Sequence, residues 1–434
     1  MLKTVRSMLG SWPVAVPAFR LLMVGQLTST LGDYFFAVAL PWYVLSRGGG
    51  PALLGWVLAG YGASRIAGIA AGGVLADRFG PALSMLAMDA LRCFAVAFLG
   101  AFAVSRPPSF AVLAPVAVLL GLAGGIFLPA SLAILPAILD DEDLAGANAL
   151  STIVMQAGGL IGPTIAGAVV AVSGAWPAFF VDAGSFLVSA AVLVSVGRAA
   201  RLKGAQRTAA GNPDGAAAGG PTFRQVLRHG QILRVVLVVG LIGNLVFAGA
   251  AEVALPTLAH DRFGARGYGT LLGGVALGLI VGAVLARRVK TGSRPAYPVV
   301  GLGVLMGLAM AAVPFAGGAP GAFACLFLFS VGNGWSGIML ITVLQIWSPR
   351  ALLGRVMSVV TLATTGMFPL SVVLAGVGVS QLGVAPFFVI AGGAIILGVT
   401  VALTQPAFRR YRDGDRFELP ATRTPVPVGS TLNG

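Results

Sequence analysis

The sequence predicts an all-α membrane protein of twelve transmembrane helices arranged as two related six-helix bundles. Three observations carry that expectation: an apolar composition, a one-sided distribution of basic residues and an internal repeat. Of the 434 residues, 57% are hydrophobic and 10% are charged, with a mean hydropathy of +0.93, whereas soluble domains carry roughly 25% charged residues. A helix needs roughly 20 apolar residues to cross a bilayer core. Twelve spans joined by short turns therefore take up most of the chain, and no large soluble domain fits in the remainder. Apolar runs between charge, Pro and Gly punctuation place the spans near 20–45, 52–76, 83–105, 110–138, 147–172, 176–196, 233–259, 268–287, 296–316, 320–346, 355–381 and 384–404.

With the N-terminus inside, only Arg47, Arg106, Arg262 and Arg266 fall in outer loops, and Arg65 and Arg92 lie within spans. The other 22 of the 28 Lys and Arg residues fall on the inner side. This bias predicts that both termini are cytoplasmic and that the number of spans is even. The pI near 11.1 follows from these topology signals rather than from a nucleic-acid surface, because the basic residues punctuate apolar runs. Residues 197–232, containing AAGNPDGAAAGGP, are too rich in small residues, Pro and Gly to build a core and read as a flexible cytoplasmic linker. They separate bundles at 20–196 and 233–404. A cytoplasmic segment (1–19) precedes these, and a disordered cytoplasmic tail (405–434) follows.

The two bundles resemble each other. Ala39-Leu40-Pro41 recurs as Ala254-Leu255-Pro256, AGGVLADR (71–78) as VGAVLARR (281–288), and SGAWPAFF (173–180) as QLGVAPFF (381–388). Three matches in order, at offsets of 215, 210 and 208 or 209 residues, point to parallel repeats related by an axis along the membrane normal.

Local motifs add a family resemblance. Gly73-Val-Leu-Ala-Asp77-Arg78-Phe-Gly80 resembles the G-x-x-x-D-R-x-G loop between the second and third spans of the major facilitator superfamily. Its glycines permit a tight turn, and Asp77 and Arg78 would form a charge lock at the cytoplasmic rim. The following Pro81-Ala82-Leu83 lacks the basic residues usual there, which implies a weaker lock. In the fifth span, Gly158-Gly-Leu-Ile-Gly162-Pro163-Thr-Ile-Ala-Gly167 resembles the antiporter motif of drug exporters. Gly158 and Gly162 share a helix face, and Pro163 frees a carbonyl and bends the helix; a generic packing face is the alternative reading. The segment from Gly25-Gln26 to Asp33, with ALPW at 39–42, PASLAILPAIL at 129–139 and ANAL at 147–150, resembles the drug:proton antiporter branch containing macrolide-efflux and enterobactin-exporter proteins. The chain departs from better-known multidrug antiporters in having no Arg in the fourth span.

An ionisable side chain at the bilayer centre costs roughly 2.5–3.5 kcal/mol on insertion scales, so each one requires a partner, a wet cavity or a function. Asp33 lies centrally to outward in the first span, and Glu252 lies nearer the outer mouth of the seventh. The resemblance implies that these two spans line the central cavity. Asp33 is then the candidate proton-coupling or cation-binding carboxylate, or the partner of Arg65 in an ion pair. Glu252 is a coupling or substrate-contact residue, or an outer gate. Asp89 and Arg92, three apart on one face, read as an internal pair bracing the Asp77 region. Asp182 reads as a hydrogen-bonding residue a turn or so below the outer surface. Asn244 and Asn333 are cavity donors or helix glue. Tyr34, Tyr61, Phe127, Phe247 and Trp335 would line a greasy cavity, unless they face lipid.

The sequence excludes other classes. Lys3, Lys203 and Lys290 follow Leu2, Leu202 and Val289, so no Gly-Lys of a nucleotide-binding P-loop exists. Two histidines, His229 and His260, and two separated cysteines, Cys93 and Cys325, provide neither a His-based active site nor a metal cluster. The expectation is a cofactor-free, non-enzymatic secondary exporter of amphiphilic small molecules, working as a monomer by proton antiport in a bacterial inner membrane. The alternatives are a nutrient-uptake carrier of the same fold and a transport-inactive receptor or scaffold.

Overall fold

A computed structural model describes residues 16–207, 231–288, 296–348, 353–406 and 409. The N-terminal half consists of α1 (Pro17–Ser46), α2 (Gly50–Phe79), α3 (Pro81–Ser105), α4 (Phe110–Ile138), α5 (Asp141–Ser173) and α6 (Ala175–Arg207). α6 continues past the expected span end at 196 because Ala, Leu, Arg and Lys after Val196 favour helix whether or not they lie in lipid. The remainder of the expected linker, 208–230, and the tail beyond Arg409 lie outside the described residues. α2 and α3 are joined by Gly80 alone, at φ 83°. Only glycine adopts that backbone freely, and Pro81 then opens α3 at a position where no amide donor is needed.

The C-terminal half contains two broken spans. The seventh consists of α7 (Gln231–Gly249), a π turn (Ala250–Ala254) and α8 (Leu255–Arg262). Just before the π turn, the hydroxyl of Ser371 enters the α7 backbone. It accepts from the Gly249 N–H at 2.7 Å and donates to the Leu245 carbonyl, bridging two groups that an uninterrupted helix would pair directly. Pro256 follows and cannot donate to the carbonyl four residues back, so the ladder is loosened on both sides of Glu252. α9 (Gly264–Arg288), α10 (Ala296–Ala312) with a 3-10 turn (Val313–Phe315), and α11 (Ala319–Trp347) come next. The eleventh span, expected as one run, divides into α12 (Leu353–Gly366) and α13 (Phe368–Leu382), with Pro369 in the first turn of the latter. α14 (Val384–Thr404) completes the bundle. Eleven of these segments are long and apolar enough to cross a membrane by themselves. The split α12–α13 supplies the twelfth crossing.

The halves meet along two extensive seams, α5 against α9 and α2 against α13, which the repeat symmetry exchanges. At each seam, glycines let backbones touch. A Cβ on Gly269 would lie 2.3 Å from the Pro163 carbonyl oxygen, and one on Gly55 would lie 2.5 Å from that of Val372. All four positions lie toward the helix ends on the face opposite Pro17 and Thr404. On that opposite face one apolar cluster unites both halves, joining Val38, Tyr43 and Leu54 to Val253, Leu258 and Tyr268. Toward the terminal face the core divides into an N-terminal cluster around Phe19 and Ile134 and a C-terminal one around Leu233 and Trp347. Among the described residues the core is therefore continuous on one face and divided on the other.

Two outcomes follow. Gly269→Ala should push α9 away from α5 and increase spin-label distances between Arg106 and Phe315 on the continuous face, as read by pulsed electron resonance; an unchanged distance distribution would mean that the seam tolerates the methyl. Ser371→Val should lower stability by roughly 1 kcal/mol, the scale of hydrogen bonds within membranes, measured by thermal unfolding in detergent.

Candidate functional site

The parting of the halves leaves a cavity of about 660 Å³, within the ~300–1,000 Å³ typical of drug-sized ligand sites. It extends from Pro41 and Leu58, beneath the continuous face, to Leu22, Leu135 and Asn148 near the terminal face. Nearly all of its wall comes from α1 to α6, and among the described residues the C-terminal half contributes only Glu252 and Phe368. Most of the lining is aliphatic or aromatic. Polar side chains such as Gln26, Thr30, Asn148 and Ser189 are interspersed among them, and the charged ones are Asp33, Arg65, Arg92, Asp182 and Glu252.

These charges are held in different ways. Arg92 lies midway along α3 with its guanidinium between the rings of Phe127 and Phe186, 4.3 Å from each centroid. It donates to the fully buried Asp89 carboxylate one turn earlier. Ring faces attract a cation, and the effect grows when water is excluded, so this clamp fixes a positive charge in the wall. Asp33, on α1, is exposed to the cavity. Arg92 acts on it more strongly than Arg65 does, and no ion pair joins Asp33 to Arg65 among the described residues. Arg65 is half-buried, its Nε has no hydrogen-bond partner among the described residues, and its charge acts on Glu252. Glu252 itself projects from the π turn. Such turns mark places where a helix gives up regularity to aim a side chain.

The glycine motif of α5 faces this same wall. A Cβ on Gly158 would meet Thr30 at 2.7 Å, and one on Gly162 would meet the Tyr34 Cβ at 2.9 Å. α5 thus rides on α1 on either side of Asp33. Farther along, Gly167 and the Pro163 carbonyl belong to the seam with α9, so one helix connects the carboxylate's surroundings to the closure between the halves.

Of the residues singled out from sequence, Asp33, Tyr34, Tyr61, Arg65, Phe127 and Glu252 come together at the cavity, and Arg92, expected as an internal partner of Asp89, joins them. Four others are not brought to this cavity. Asn244 donates to the Gly240 carbonyl of its own helix, and Phe247 stacks on Phe329 at 5.4 Å within the C-terminal half. Trp335 is buried where α11 packs on α9, and Asn333 is half-buried on α11. At the α2–α3 turn, Arg78 lies over the Phe79 ring at 5.4 Å, and Gly73 faces open space. The side chain of Asp77 lies outside the described residues, and with it the expected charge lock. Asp182 and Phe186 of α6 emerge as wall residues that sequence reasoning did not place there. Their spacing of four, which puts both on one face of a helix, was the available signal.

Comparison with known proteins agrees with this architecture. The chain is 28% identical over 413 residues to the enterobactin exporter of Shigella boydii serotype 4 (strain Sb227), covering 91% of this chain and 94% of that protein. It is equally similar to the enterobactin exporter of Escherichia coli O139:H28. Among solved structures, a bacterial homologue of the iron transporter ferroportin in an inward-facing state superposes with a TM-score of 0.62 at 16% identity, covering 89% of this chain and 98% of that one. A D-xylose–proton symporter superposes with a TM-score of 0.65 at 13% identity, covering 93% and 98%. The Major Facilitator Superfamily matches residues 22–367, most of both halves, and the chain belongs to that family.

Proposed function

We propose that this protein exports amphiphilic small molecules across a bacterial inner membrane, as a monomer, in exchange for protons, by alternately opening the two faces of the cavity. The observation that carries the reading is the cavity itself: a drug-sized, largely apolar chamber, open toward the terminal face, with one carboxylate, Asp33, exposed on its wall. Apolar and aromatic walls accommodate a greasy ligand with little demand for exact hydrogen bonding, whereas a sugar would require a dense set of polar partners. The bias of basic residues toward the terminal side supports a cytoplasmic opening, where an export substrate would be loaded. The similarity to enterobactin exporters supports outward transport of a metabolite.

In this scheme the loaded and the protonated cavity compete. Asp33 binds a proton delivered from the outer side, releases it inward, and is then free to favour substrate. Its neighbours on α1, Thr30 and Tyr34, bear on the glycines of α5, and α5 carries the change to the seam with α9. Each elementary charge moved across the membrane couples to about 2.3 kcal/mol per 100 mV, so electrogenic exchange would drain the membrane potential as well as the pH gradient.

Everted membrane vesicles test the reading. Wild-type vesicles should accumulate ethidium or a catechol siderophore when energised, and collapse of the proton gradient should abolish this. Asp33→Asn should remove gradient-driven accumulation while leaving equilibrium binding of the same probe within a few-fold. Normal accumulation by Asp33→Asn, or accumulation indifferent to the gradient, would overturn the coupling role. Gradient-driven movement of a sugar or amino acid in the opposite direction would establish uptake instead.

A further inference from the structure

Beside Asp33 the helix surface of α1 has a notch. A Cβ on Gly32 would lie 2.0 Å from the Ser185 Oγ and 2.7 Å from the Asp182 Oδ1, so the absence of a side chain there is what admits both groups of α6. The Asp182 carboxylate therefore rests against the α1 backbone at the residue next to Asp33. Asp182 is 1% exposed yet forms part of the cavity wall. The Ser185 hydroxyl donates to the Asp182 main-chain carbonyl at 2.7 Å and lies 3.4 Å from its Oδ1, and no cation lies within ion-pair distance of the carboxylate among the described residues. A lone carboxylate buried at this depth in a bilayer protein is costly. Its retention calls for a role.

The surrounding charges define that role. Arg92 is committed to Asp89 and clamped by two rings, so it is a fixed counter-charge that acts on both Asp33 and Asp182. Cys93, next to Arg92 on α3, lies near Asp182 of α6. From α2, Arg65 and Tyr61 face Asp33, and Glu252 faces Arg65. Once Asp89 is paired with Arg92, two carboxyl groups remain on the α1–α6 wall. Two carboxylates held close together on one largely apolar wall do not both ionise readily.

We propose that Asp33 and Asp182 form one proton-binding unit, a coupled pair that holds a single proton between them, with Gly32 providing the close approach and Arg92 the fixed counter-charge. The inference rests on the proton-exchange reading above and extends it from a single carboxylate to a pair. The proton is bound as an O–H on one carboxyl and leaves to water in the cavity. Asp182 is a positioning residue with respect to substrate, acting through the proton affinity of Asp33.

Infrared titration of the carboxyl C=O stretch, with the full-length Glu252→Gln protein in lipid nanodiscs, tests the pair without substrate or gradient. Asp182→Asn should displace the Asp33 titration by roughly tenfold or more in proton concentration. Asp33→Asn should displace the Asp182 titration by the same factor, because coupling between two sites is reciprocal. Asp182→Glu should restore two coupled steps. A merely structural Asp182 would alter yield or melting and leave the Asp33 titration in place, and that result, in either reciprocal arm, overturns the proposal. If one variant fails to fold, the other arm still reads the coupling. Coupled titrations in a protein that moves no probe in vesicles would instead overturn the export reading and leave the pair standing.

Discussion

The structure depends on backbone contact between two bundles at the glycines of the α5–α9 and α2–α13 seams. Within a bilayer, apolar side chains gain nothing by leaving lipid for one another, so association relies on close van der Waals packing and small residues. At Gly269 and Gly55 the approach is so tight that even a methyl group would collide with a facing carbonyl. Both seams lie toward one face and exchange under the repeat symmetry, so closure there and the opening at the other face are parts of one rigid arrangement. The cavity is the space left by that arrangement. A rocking of one half on the other would redistribute it without rebuilding either bundle.

Architecture and chemistry part company at this point. The repeat that relates Ala39-Leu40-Pro41 to Ala254-Leu255-Pro256 places Ala248 opposite Asp33 and Ala37 opposite Glu252. The symmetric scaffold thus carries asymmetric charge. The N-terminal half supplies a clamped guanidinium, two wall carboxylates and the glycine face on which α1 and α5 meet. The C-terminal half supplies a loosened helix, its backbone interrupted by Ser371 and ended by a π turn and Pro256, from which Glu252 reaches across. The N-terminal half holds four of the five wall charges, and the C-terminal half holds the interrupted helix that carries the fifth.

Much of this was legible in the sequence because the bilayer is a demanding solvent. Span number, the two halves and the candidacy of Asp33 all follow from which residues lipid tolerates. What composition cannot supply is rotation about the helix axis. Asp182 was read at a plausible height near the outer side of the sixth span, but not as pointing inward onto Gly32. Phe186, one turn later, was overlooked for the same reason. Asn244 illustrates the converse: a polar residue in a span suggested a cavity donor or helix glue, yet its side chain donates to the carbonyl of Gly240 in its own helix. The break in the seventh span depends on Ser371, a contact between residues far apart in sequence that no local pattern announces. The split of the eleventh span at Met367 left Gly366 and Pro369 as its local trace.

Proton movement accompanying substrate movement tests the central claim most directly. Proteoliposomes containing the purified protein and an internal pH-sensitive dye can be given a substrate gradient with no initial pH difference. The account predicts that substrate flux in one direction drives proton flux in the other, and that Asp33→Asn abolishes the pH signal. Substrate flux with no accompanying pH change in the wild type would contradict it.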